Sequence, residues 1–76
     1  MDITTTDVTF HLDETLGHNE RELIRDKLLS QNGILSAATN DKTPHLMIVV
    51  YDPDMTAPET ILELLNHDGV HAERLG

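Results

Sequence analysis

Six consecutive apolar residues, Leu46-Met47-Ile48-Val49-Val50-Tyr51, constrain this chain more than any other stretch. The run is half β-branched, long enough for a strand and too short for a buried helix of ordinary length. A strand with one wet face alternates apolar and polar residues. This one does not, so it predicts a central strand covered on both faces, with the rest of the chain arranged around it.

Little else is available to build a core. The chain has 76 residues, 38% of them apolar, and its only aromatic side chains are Phe10 and Tyr51. A single domain of this size buries roughly 60% of its unfolded surface, and here Leu, Ile, Val and Met must supply that burial. There is no cysteine, so neither a disulfide nor a thiolate metal ligand is available. Fourteen acidic residues against five Lys and Arg give a formal net charge of −9. That balance disfavours nucleic acid and anionic membranes, which need clustered basic residues. It favours cationic partners, either metal ions or basic protein surfaces. No stretch approaches the ~20 apolar residues of a membrane span, so direct membrane insertion is not expected. Met1-Asp2-Ile3-Thr4 carries neither basic residues nor an apolar run, so no signal peptide and a cytoplasmic location are expected.

In chain order, residues 1–6 read as a flexible polar lead-in, and 7–76 as one domain. Asp7 to Asp13 alternates, with Val8, Phe10 and Leu12 facing one way and Thr9 and His11 the other, which predicts a strand with one core face. Asn19 with Glu22 resembles a capping box opening a helix from Glu20 to Gln31, whose stripe is Leu23, Ile24, Leu28 and Leu29. Gly33 stops it. Ile34 to Thr39 is a weak edge strand, 40–44 a turn, and Leu46 to Tyr51 the central strand. Thr56 and Glu59, around Pro58, cap a second helix with Ile61, Leu62, Leu64 and Leu65 as its stripe. Gly69 ends it, and Val70 to Leu75 makes a short last strand. The order β-α-β-β-α-β predicts an α+β, ferredoxin-like sandwich. Right-handed crossovers put both helices on one face of a four-stranded antiparallel sheet, with the first and third strands central.

Several segments together resemble the heavy-metal-associated domain family of copper chaperones and metal-transporting ATPases. They are Phe10-His11-Leu12-Asp13, the helix ending Asn32-Gly33-Ile34-Leu35-Ser36-Ala37, Tyr51-Asp52-Pro53 with Ala57-Pro58-Glu59, and Asp68-Gly69-Val70. The resemblance implies a domain linked to transition-metal handling, with a cognate metal-transporter domain or another protein as partner. The family's loop between first strand and first helix carries two cysteines spaced two residues apart. Counted without gaps, those positions fall on Gly17 and Glu20, and the methionine that usually precedes them falls on Thr15. Soft Cu(I) selects thiolate and thioether ligands, so Cu(I) binding by the family's mechanism is not expected.

The remaining candidate ligands are His18, Glu20 and Glu22. Should the helix start early, His18 and Glu22 lie four residues apart on one face. The resemblance adds His67, Asp68 and His71 from the loop before the last strand. Imidazole and carboxylate suit a divalent ion such as Zn(II), Ni(II), Co(II) or Cu(II). The bland alternative is a dead metal site with solvated histidines. A second constellation is the face opposite the helices, where Leu46, Ile48 and Val50 would lie beside His11 and Thr9, with His71 near His11. Three adjacent aliphatics there suggest a protein partner or a second copy of the chain, although β-branched residues favour strands in any case. No nucleophile with a His-carboxylate relay and no phosphate-binding loop is present, so an enzyme is not expected. The alternative to a metal-handling domain is an interaction or dimerisation module that keeps the fold and binds no metal.

Overall fold

The computed structural model describes residues 4–76. Its elements are β1 (Thr6–Leu12), α1 (His18–Leu29), β2 (Ile34–Asn40), β3 (Thr43–Tyr51), α2 (Pro58–His67) and β4 (Ala72–Arg74). They form one four-stranded sheet in the order β2-β3-β1-β4, antiparallel throughout, which is the expected ferredoxin-like arrangement.

The register of the two inner strands explains the core. Val8 pairs with Val49 and Phe10 with Met47. Because strand side chains alternate between faces, these four, with Leu12 and Tyr51, point under the helices, and all six are buried. Ile24 and Leu28 of α1 and Ile61 and Leu65 of α2 close the layer from above. Each such side chain taken out of water contributes about 1.5–3 kcal/mol.

The expectation that β3 is covered on both faces is corrected. The strand is central, but both helices roof the same side, and on the other side Ile48 is 45% exposed while Leu46 and Val50 are half-buried. Neighbouring strands shield these side chains only partly.

Element ends also move. Of the expected lead-in, Met1 to Ile3 lie outside the described residues, and Thr6 already belongs to β1. Helix α1 begins at His18 rather than Glu20, so Asn19 lies inside it and the residue before its first turn is Gly17. Its buried stripe is Arg21, Ile24 and Leu28, whereas Leu23 and Leu29 are exposed. Spacings of three and four residues select that face, and both terminal nitrogens of the Arg21 guanidinium find partners there that offset part of its burial. The residue before α2 is Ala57, not Thr56, with Pro58 at the first helical position where its missing N–H costs nothing. Strand β3 extends back through Pro44 to Thr43, leaving a tight turn at Asp41-Lys42 in which the Lys42 amide donates to the Asn40 side chain at 2.8 Å.

Gly33 has φ +92°, and a Cβ there would stand 2.8 Å from the Met55 Cβ. Its carbonyl accepts from the Asp52 amide at 2.8 Å, docking the end of α1 against the turn after β3.

Candidate functional site

Where β1 ends, the loop 13–17 turns into α1, and several chain segments converge on it. Gly17 has no side chain with which to cap the helix, but Glu20 reaches back and accepts from the Gly17 amide at 3.2 Å. One turn on, Arg21 is only 4% exposed. Its guanidinium donates to the Leu16 carbonyl at 3.1 Å and to the Asp41 carboxylate at the tip of the β2–β3 hairpin. The cation thus ties the loop to the hairpin.

His18 stands beside this tie. Its Nε2 is 2.9 Å from Glu22 and its Nδ1 is 2.9 Å from Asp41. Both partners are carboxylates, which only accept, so the arrangement favours the doubly protonated imidazolium. The hydrogen bond to Asp41 and the charges of Asp41 and Glu22 accordingly raise the His18 pKa above 6.5, and the bond to His18 holds Asp41 below 3.8.

A second histidine closes the rim from the far side. The His71 amide donates to both oxygens of Glu14, at 2.9 and 3.1 Å, and the imidazole bonds to the same carboxylate. Asp13 donates its amide to the His71 carbonyl at 2.8 Å. The hydrogen bond with Glu14 raises His71 above 6.5 and lowers Glu14 below 4.5.

The sequence reading missed a third pair. His45, near the start of β3, donates Nδ1–H to the Leu12 carbonyl at 2.7 Å and stacks on His11, with ring centroids 5.6 Å apart and planes 11° from parallel. His11 Nδ1 is 3.4 Å from Asp13. The expected meeting of His11 with His71 does not occur. Opposite His11 on β4 lies Glu73, because His71 precedes the strand and is engaged by Asp13 and Glu14.

Of the expected metal ligands, the structure brings His18 and Glu22 together and adds Asp41. Glu20 is occupied with the Gly17 amide. His67, the last residue of α2, lines a shallow groove with Lys27, Leu28 and Gln31 at the opposite end of α1. Twelve helical residues separate the two ends by ~18 Å, so His67 and His18 do not converge. Among the described residues, no group of three or more His, Asp and Glu is arranged to hold a metal ion. On the open sheet face, Leu46 and Ile48 line a shallow depression with Ala38 and Thr39, while Thr9, Asp7 and Ser36 interleave polar groups between the aliphatics.

No protein-family model matches the sequence, and no curated protein does. Solved structures match closely in shape. A copper-binding domain from HMA7, a P-type ATPase, is 21% identical, with TM-score 0.83 over 92% of this chain and 93% of its own. Oxidized MerP from Ralstonia metallidurans is 12% identical, with TM-score 0.84 over 96% of this chain and 100% of its own. The CopZ metallochaperone is 15% identical, with TM-score 0.80 over 90% and 100%. The chain has the heavy-metal-associated fold. Within that fold, the loop 13–17 and the first turn of α1 carry a guanidinium and paired carboxylates, and the chain holds no cysteine. No helix among the described residues is long and apolar enough to cross a membrane.

Proposed function

We propose that this chain is a cysteine-free domain of transition-metal handling that works by docking onto a metal-transporter or chaperone domain, not by carrying Cu(I). One observation supports this above the others: the loop is closed by the Arg21 guanidinium on Leu16 and Asp41. A fixed positive charge in that position opposes an incoming cation, and neither Gly17 nor Glu20 offers the soft ligand that Cu(I) selects. What the domain keeps is shape, an acidic rim and an open sheet face. The solved structures of like shape include a copper-binding ATPase domain and a metallochaperone, which are the partner classes this reading names. The docking face would centre on Leu46, Ile48, Val50 and His11, a protein partner would cover it, and a second copy of the chain is the competing occupant. A cytoplasmic setting and a non-catalytic role belong to the same reading.

The test is a titration of the isotopically labelled chain with the soluble domain of a metal-transporting ATPase, and with a copper chaperone, from the same organism. Amides at 13–20 and 46–50 should shift with one of them, and Cu(I) alone should leave those amides in place. If neither partner moves any amide at millimolar concentration, docking is excluded.

A second reading is favoured by the 2.9 Å approach of His18 to Glu22 and to Asp41. A divalent ion, Zn(II), Ni(II), Co(II) or Cu(II), would bind there once the imidazole gives up a proton, since only the neutral ring ligates. Shifts at 15–22 and 41 on adding Zn(II), Ni(II) or Cu(II) would favour it.

A further inference from the structure

We propose that His11 and His45 form a binding site for a borderline divalent transition ion, of the class Zn(II), Ni(II) or Cu(II), at the end of the sheet where β1 finishes and β3 starts.

The chemistry of the two rings differs from that of His18. A metal-ligating histidine almost always donates its other N–H to a carbonyl or carboxylate, which fixes the tautomer and leaves a basic lone pair for the ion. His45 meets that description: Nδ1 donates to the Leu12 carbonyl at 2.7 Å, so the proton of the neutral ring is on Nδ1 and the lone pair is on Nε2. His11 meets it in outline, with Nδ1 3.4 Å from the Asp13 carboxylate. Neither Nε2 has a protein partner among the described residues. The rings are stacked, with centroids 5.6 Å apart and planes 11° from parallel, so the two imidazoles lie side by side at this end of the sheet. His18, by contrast, presents both nitrogens to carboxylates and holds its protons.

Charge assists the pair. Asp13 lies beside His11, Glu73 faces it across β1 and β4, and the chain as a whole carries −9, so a cation is concentrated at this end. Imidazole nitrogen is a ligand for borderline Zn, Ni and Cu(II) and a poor one for hard Mg or Ca. His11 is 43% exposed at the side chain, which leaves the ring room to turn toward a shared ion and leaves water to complete the coordination. The site shares only Asp13 with the loop 13–17 and His11 with the open sheet face, and it does not rest on the docking reading.

The experiment follows imidazole nitrogen signals while Zn(II), and then Ni(II) or Cu(II), is added to the full chain and to H11Q, H45Q, D13N and H18Q. Nε2 of His11 and His45 should move together at one ion per chain. H11Q should weaken Zn(II) binding more than tenfold and D13N about tenfold, with H18Q unchanged. H11Q leaves the His45–Leu12 bond intact, so its result stands even if H45Q unfolds. The site is overturned if millimolar Zn(II) moves neither ring, if H11Q binds as tightly as the parent, or if H18Q abolishes binding. The last outcome transfers the ion to the Glu22–His18–Asp41 cluster and leaves the docking proposal untouched.

Discussion

Arg21 combines a buried guanidinium with an aliphatic stem packed in the helix stripe, and both parts hold the rim together. Replacing it by Ala removes the packed methylenes and leaves the Leu16 carbonyl without its donor. The expected loss is about 2–3 kcal/mol in urea unfolding, and R21M, which keeps an apolar stem, should lose about half of that. Asp41 is largely exposed, so D41N should hardly move global stability while speeding amide exchange in the loop 13–17. Apolar positions alone place Leu23 in the stripe, where the structure has Arg21. The spacing of Arg21, Ile24 and Leu28 was the available signal. Asp41 and His45 carried no local signal, since each meets its partner only once the hairpin register is known.

Two histidine–carboxylate pairs fasten this end of the molecule: His18 at the start of α1 with Asp41 of the hairpin, and His71 with Glu14 of the loop between β1 and α1. Both histidines are raised above 6.5, and their partners are lowered below 3.8 and 4.5. A raised histidine stabilises the fold fully below its ordinary value and loses that effect as pH climbs through the folded value. A lowered carboxylate stabilises above its ordinary value and loses that effect as pH falls through the folded one. The two conditions overlap between 4.5 and 6.5. The difference in melting temperature between the parent and E14Q should therefore be widest inside that window and should shrink at pH 8. A difference that stays level across pH would mean that the pair contributes nothing by charge. At the other end of α1, G33A must place a side chain at φ +92° and against Met55, at a cost of about 1–3 kcal/mol. The glycine stop there was legible from sequence, as were the existence and type of all six elements. Helix starts were not, because Gly17 and Ala57 lack the side chains by which helix starts are usually recognised.

Across the whole molecule, the geometric alternation of side chains along β1 and β3 sets which half of each strand meets the helices, although only β1 shows it as an apolar–polar pattern in the sequence. The same alternation leaves Ile48 on the wet side between Thr9 and Ala38. I48D should accordingly fold with stability close to the parent, whereas V49D, a charge in the closed layer, should not fold. Sedimentation of the parent over a wide concentration range, beside I48D, tests the open face: a dimer present in the parent and weakened in the variant supports self-association, and two indifferent monomers exclude it. The candidate ligand set was less legible than the fold because a ferredoxin-like chain brings its loops together from distant positions, so that residues as far apart as Glu14 and His71 become neighbours. Finally, the guanidinium that Arg21 sets between the Leu16 carbonyl and the Asp41 carboxylate gives the loop a permanent internal cation. The loop should therefore keep its shape in the metal-free protein, which slow amide exchange at 13–17 in the presence of a chelator would show.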